Sequence, residues 1–365
     1  MAYSTQSWGA IVAPFIIGLI ADRYFNAERI LGVLHIVGAI LMYQMSQVTE
    51  FSGFYPYILG YMIAYMPTLA LVNSVSFNQM NNPKKQFPFV RVFGTIGWIL
   101  AGILISALKW DSIENIGQGT LSNTFIMVAI ASALLGLFSF TLPKTPPSVS
   151  KGEKVKISDI LGLDALKLLK DRNFLIFFLS SVLICIPLAF YYQNISPFLT
   201  EYKIENSTAW ASLGQVFEVG FMLLLSFFLK KFGFKKTILF GMLAWAIRYL
   251  LFAYGNAGDL FFMIVIGIAL HGICYDFIFV SGQIYTDSKA GEKVKSAAQG
   301  LITLATYGVG MLIGFWVSGQ IVDRNVITEG VHSWQDVWTF PAIFAVAVLL
   351  IFAVLFKDEK VEYKT

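Results

Sequence analysis

The sequence predicts an all-α polytopic membrane protein with eleven transmembrane helices in two pseudo-symmetric bundles, five followed by six. Three observations carry this. Hydrophobic residues are 57% of the 365 residues and charged residues 13%, against about 25% charged in an ordinary soluble domain. Apolar runs of about 20 residues, the length that crosses the hydrocarbon of a bilayer, succeed one another along almost the whole chain. Lys and Arg gather in every second gap between those runs, the pattern that sets membrane orientation. Inside lipid only helices and closed barrels satisfy their own backbone. Runs of this length are helices rather than the roughly ten-residue strands of a barrel.

Taken in order, the predicted spans are 6–24, 29–48, 54–80, 88–108, 121–142, 174–200, 207–230, 236–254, 259–285, 295–322 and 335–356. The gaps after spans 1, 3, 5, 7 and 9, together with the C-terminal tail, hold 21 of the 26 Lys and Arg residues. The opposite set holds only Lys109, Lys203 and Arg324, and Arg91 and Arg248 lie inside spans. This asymmetry places the C-terminus in the cytoplasm. The longest gap, residues 143–173, is polar, basic and Pro-containing, and reads as a cytoplasmic linker. It divides an N-terminal bundle, 1–142, from a C-terminal bundle and tail, 174–365.

The charged turns "GLIADRYFNAERIL" (18–31) and "LKKFGFKKTIL" (229–239) correspond if the halves are repeats. Span 1 then pairs with span 7, and span 6 has no counterpart. The expectation is a front half lacking its first helix, from a complete arrangement of six plus six.

Several function classes drop out. The net charge of +4 does not signal nucleic acid, because the basic residues sit in short gaps between membrane runs. Cys185 and Cys274 lie within apolar runs and read as small buried hydrophobes rather than a disulfide. The first apolar run lacks a basic leader and ends in Asp22-Arg23, unlike a cleavable signal peptide. No P-loop, Gly-rich dinucleotide turn or zinc-ligand spacing is present, so no enzyme activity, cofactor or metal is expected.

Two six-helix halves, a basic central loop and the "GLIADR" turn with Gly18, Asp22, Arg23, Glu28 and Arg29 resemble the major facilitator superfamily of secondary transporters. A related "GQIVDR" closes span 10 at 319–324, as expected where three-helix units recur within each half. The segments "RVFGTIGW" (91–98), "GQVFE" (214–218) and "HGICYDF" (271–277) resemble, more narrowly, the nucleoside:proton symporters, the bacterial nucleoside permease group. The resemblance covers essentially the whole chain and departs at the front, where the family's first helix is expected and not found.

The polar residues inside spans are the candidates for function. Arg91, Thr95 and Trp98 share one helical face. An arginine fork, a hydroxyl and an indole plane suit hydrogen bonding to and stacking on a nucleoside. The alternative is an arginine snorkelling to the cytoplasmic surface. Gln215 and Glu218, three apart, form a polar pair that reads donors and acceptors on a substrate or else stitches helices together. The resemblance implies substrate contacts at both, at Asn194, and at either Tyr191 or Gln193. The span 6 end, "AFYYQNISPF", reads equally as a polar helix terminus broken by Pro197.

In span 9, His271 and Tyr275 share a face, and Asp276 sits about 100° round from Tyr275. The resemblance implies a substrate aromatic at Tyr275 and the proton-coupling acid at Asp276. His271 either hydrogen-bonds the substrate or adds a second titrating group. The bland alternative is a static ion pair between Asp276 and Arg248. His35 and His332 receive no role.

The function these readings imply is secondary active transport: import of nucleosides such as uridine or adenosine by proton symport with alternating access. The expected setting is the bacterial inner (plasma) membrane, as a multi-pass monomer whose partners are nucleosides, protons and the lipid bilayer. A carrier for sugars or another small polar solute, and a non-transporting receptor or inactive fragment, are the alternatives.

Overall fold

The predicted apolar runs lie on helices in the computed structural model, which describes residues 2–16, 25–80, 83–146, 163–290 and 295–358. The first-half helices are α1 (Ser4–Ile16), α2 (Ala27–Ser46), α3 (Phe51–Asn78), α4 (Pro83–Ala107) and α5 (Asn123–Ser139). The second half begins with α6 (Arg172–Glu201) and α7 (Ser207–Tyr254). Then follow α8 (Phe261–Lys289), α9 (Lys295–Thr303, Leu304–Gly310 and Met311–Arg324 in succession) and α10 (Trp334–Leu355).

Among the described residues, eight helical stretches are long and apolar enough to cross a membrane. Eleven spans were expected from the sequence. Three of the expected spans differ from that set for identifiable reasons. The runs 207–230 and 236–254 are two helical limbs counted as one stretch, α7, with a non-helical break at Gly233 (φ 77°, ψ 175°). That positive-φ backbone is open to glycine and strained for other residues, which is why the charged "KKFGFKK" breaks the stretch into two helical limbs. In α4 only Val92–Ala107 is an apolar stretch, and it is short. The described part of α1 stops at Ile16.

Two compact units emerge from the internal packing. One comprises Met1–Gly94 and Asn115–Leu163, the other Thr95–Glu114 and Asp164–Thr365. In the first unit, Glu28 at the start of α2 is buried. It accepts hydrogen bonds from Asn26 Nδ2 (2.9 Å) and the Thr145 backbone N–H (2.8 Å). The charged turn residue therefore ties the α2 N-terminus to the chain beyond α5. The remaining turn residues of the sequence motif, Gly18, Asp22 and Arg23, and most of the expected linker, lie outside the described residues.

The second unit is organised by aromatic packing. Phe198 of α6, Tyr249 and Phe252 of α7 and Trp338 of α10 are fully buried and meet at ring separations of 5.1–5.6 Å where Trp338 is the partner. Pro187 has no N–H of its own to give, and its carbonyl accepts the Tyr249 hydroxyl. The end of the α4 segment also belongs here. Asp111 accepts from Ser106 Oγ (2.7 Å) and from the Thr208 backbone N–H (2.9 Å), and Ser106 Oγ accepts from the Ala209 N–H (3.1 Å). The residue at the N-cap position, Asn206, is left-handed and makes no side-chain cap. Asp111 supplies the anion that the exposed N–H groups of a helix start favour.

Two short strands, β1 (Val326–Thr328) and β2 (Val331–His332), pair antiparallel between α9 and α10. His332 is held there by Glu201 at the end of α6, through its backbone N–H (2.7 Å) and Nδ1 (2.8 Å). His35 of α2 is buried beside Ser132 at 3.5 Å. Both histidines thus have structural partners.

Candidate functional site

Two glycines set the distance between α7 and α8. A Cβ on Gly272 would lie 2.7 Å from Glu218 Cα, and one on Gly214 would lie 3.0 Å from His271 Cβ. Small residues of this kind let helix backbones approach closely in a membrane. The approach brings His271 Nε2 to 3.8 Å from Glu218 Oε2, with the histidine buried and the glutamate side chain 14% exposed. That separation exceeds a hydrogen bond, which spans about 2.7–3.2 Å.

The other histidine nitrogen, Nδ1, lies 3.0 Å from Nη1 of Arg248 in the second limb of α7. Arg248 is fully buried. Its guanidinium lies 3.5 Å over the ring centre of Tyr191, with Trp245 and Phe252 at 5.4 and 5.5 Å. A cation over an aromatic face is attractive by about 2 kcal/mol when desolvated, which offsets part of the penalty for burying it. Its Nε and Nη2 have no hydrogen-bond partner among the described residues. The His271 ring is itself flanked by Tyr191 (5.2 Å, 26°) and Tyr275 (5.9 Å, 30°).

Tyr275 and Asp276 sit where α8 changes its winding. Residues Asp276–Val280 form a π turn, in which the Ser281 N–H reaches back to the Asp276 carbonyl. A second π turn, Leu304–Gly310, interrupts α9. Such bulges recur at functional positions because they re-aim side chains within a helix. Here they bring Tyr275 Oη and Tyr307 Oη to 2.6 Å. At the junction into the first π turn, Trp245 Nε1 donates to the Cys274 carbonyl at 3.2 Å. Asp276 is fully buried.

The remaining residues singled out in the sequence are placed differently. Asn194 is buried and donates from Nδ2 to Ser318 Oγ of α9 at 2.8 Å. The Gln215 amide, with Nε2 as donor, turns back to the carbonyls of Ala211 (3.1 Å) and Ser212 (3.3 Å) on its own helix. Thr95 is half-buried, whereas Trp98 is 61% exposed. Arg91 lies on α4, and its side chain is outside the described residues.

Of the two candidates at the end of α6, Tyr191 joins His271 and Arg248, while Gln193 is half-buried with its carboxamide oxygen unpartnered. The hydrogen bond of Arg248 goes to His271; the sequence offered Asp276 as its partner. Tyr307 was not singled out. Its one sequence cue is a tyrosine inside the glycine-rich "TYGVGMLIG" of an apolar span. No group of three or more His, Cys, Asp or Glu that could hold a metal ion occurs among the described residues.

A carboxylate, an imidazole, an arginine and stacked phenols are thus gathered where α6, α7 and α8 meet. The profile of a family described as nucleoside H+ symporters matches residues 1–361. YegT of Escherichia coli strain K12 is 42% identical over 98% of this chain and 85% of its own length. Xanthosine permease of the same organism is 33% identical over 100% of this chain and 89% of its own. A crystal structure of the nucleoside transporter NupG superposes with a TM-score of 0.83 at 28% identity, covering 98% of this chain and 90% of that one. The POT family transporter PepTSo, at 14% identity and a TM-score of 0.73 over 97% of this chain and 88% of its own, shares the fold alone.

Proposed function

The chain belongs to the nucleoside H+ symporter family, and from that premise we propose that it imports nucleosides across the bacterial inner membrane by proton symport. Its fold is that of the major facilitator transporters. It is a membrane transporter and not an enzyme. No bond is made or broken in such a protein; the work lies in differential affinity between two states of the carrier.

One observation carries the coupled reading: Asp276, a fully buried acid on a membrane helix, adjoins the face formed by His271 and Tyr275. A carboxylate at the centre of a membrane helix costs about 2.5–3.5 kcal/mol on insertion scales. Such a group is retained for a purpose, and taking up a proton removes the charge. In this reading Asp276 carries the proton, and inward movement of each charge is driven by about 2.3 kcal/mol per 100 mV. Glu218, Gln215, His271, Tyr275 and Asn194 contact the nucleoside, and Thr95 and Trp98 supply a hydroxyl and a stacking plane. Arg91, one turn before Thr95 on α4, is assigned to the substrate on the sequence alone. Residues 1–142 and 174–365 are read as the two bundles of an alternating-access carrier, with the C-terminus in the cytoplasm and the protein acting as a monomer.

The test is uptake of labelled uridine and adenosine into proteoliposomes with an imposed pH gradient. Accumulation above equilibrium that collapses with the gradient is expected. Uptake that only equilibrates would point to a facilitator, competition by sugars but not by nucleosides to another solute, and no uptake to a non-transporting protein. Gln215→Ala and Glu218→Ala are each expected to weaken uridine binding strongly while leaving the protein inserted.

A further inference from the structure

We infer that Arg248 is a positioning residue that holds His271 neutral with its proton on Nε2, so that the site offers one N–H donor directly beside the Glu218 carboxylate. A guanidinium carries five donors and no acceptor. The 3.0 Å contact between Arg248 Nη1 and His271 Nδ1 therefore requires Nδ1 to be the acceptor, with no proton of its own. The ring's one remaining proton sits on Nε2, which faces Glu218 Oε2.

Arg248 is fixed for this task. Its plane is seated on Tyr191 at 3.5 Å and walled by Trp245 and Phe252. The groups around the imidazole are Glu218 and Arg248 from α7, Tyr191 and Tyr192 from α6, and Tyr275 from its own helix. Only Arg248 meets Nδ1 at hydrogen-bond distance among the contacts described. The 3.8 Å gap on the other side leaves Nε2–H and the carboxylate without a full-strength bond between them. A substrate group that accepts from the one and donates to the other would meet a donor set beside an acceptor. An imidazole with its proton on Nδ1 would present two acceptors there and repel such a group.

The affinity part of this inference rests on the nucleoside reading; the tautomer part does not. The experiment uses the full chain in lipid nanodiscs with 15N-labelled histidine. The sequence holds three histidines, and His271→Gln assigns the signal. At neutral pH His271 is expected as the neutral form protonated on Nε2. Arg248→Leu should give a mixture of tautomers or a doubly protonated ring, and uridine affinity should fall about tenfold, the upper end for one lost hydrogen bond between neutral groups. Arg248→Lys, which still donates to Nδ1, should keep the Nε2–H form and hold affinity within about threefold.

A proton on Nδ1 in the unmutated chain would overturn the inference, as would an unchanged Nε2–H form in Arg248→Leu. Should Arg248→Leu fail to insert, the unmutated and Arg248→Lys spectra decide, and Nδ1–H in either is fatal. An Nε2–H form in a chain that binds no nucleoside would refute the transport reading while still supporting the positioning by Arg248.

Discussion

Two stretches of this protein carry polar residues along one helical face, and they end in opposite surroundings. On α8, His271 and Asp276 are buried, and Tyr275 is bonded to Tyr307. On α4, Trp98 is 61% and Phe93 is 73% exposed, and Thr95 is half-buried. The glycines beside them show why. A Cβ on Gly272 would strike the backbone of Glu218, and a Cβ on Gly214 would crowd His271, whereas Gly94 and Gly97 of α4 have nothing within 4 Å. Near His271 the glycines exist so that two helices can touch. On α4 the described residues leave open space where a Cβ at either glycine would stand. Helical periodicity identifies which residues share a face; only packing tells whether that face is sealed or open.

Substitutions break or sharpen this contrast, and the largest effect is expected at Gly272. In Gly272→Val the new side chain meets backbone that cannot yield, and overpacking of this kind costs about 1–3 kcal/mol. Thermal stability in detergent should fall clearly, and uridine affinity should drop more than tenfold as Glu218 and His271 separate. A Gly272→Val protein with normal stability and binding would show that the close approach is dispensable.

Next in size is Glu218→Gln, which keeps the shape and removes the charge facing His271. Nucleoside affinity should fall by roughly ten- to a hundredfold, the range for hydrogen bonds to charged groups, with insertion retained. Calorimetric binding to the purified protein measures it, and unchanged affinity would place Glu218 among helix-stitching residues. Trp98→Ala should separate binding from folding. Its exposed ring contributes little to stability, within about 0.5 kcal/mol for a surface site. Loss of a stacking plane worth about 0.5–1.5 kcal/mol should weaken nucleoside binding a few-fold. A destabilised protein with intact affinity would reverse the reading of α4. The smallest effect is expected at Gly97→Ala, where open space admits the methyl group. Relief of the glycine penalty in a helix, about 0.5–1 kcal/mol, should leave stability equal or slightly raised.

The helices were legible because lipid imposes both a length and a hydropathy, and the turn at Gly233 was legible because charge and glycine interrupt an apolar run in "LKKFGFKK". Glu218, His271, Tyr275 and Asp276 stood out for a similar reason: polar side chains inside membrane runs are rare. The partner of Arg248 was not legible. Arg248 and His271 come from different helices, 23 residues apart, and the period of one helix says nothing about its neighbour. The choice between Tyr191 and Gln193 was open because the resemblance aligns the end of α6 only to within one or two residues, and the sequence does not show that Tyr191 packs on His271 and Arg248. The π turns that aim Tyr275 and Tyr307 at each other have no composition signature. A helix one residue overwound or underwound reads the same in sequence.

The account stands or falls on Asp276, and Asp276→Asn tests it most directly. Asparagine mimics the protonated acid, and the proposed nucleoside contacts lie on other side chains. In proteoliposomes with an imposed pH gradient, the variant is expected to bind uridine and to exchange labelled for unlabelled nucleoside, because exchange needs no net proton movement. It is expected to lose gradient-driven accumulation entirely. Accumulation by Asp276→Asn at the level of the unmutated protein would contradict the proton-carrying role and leave Asp276 as a buried structural group.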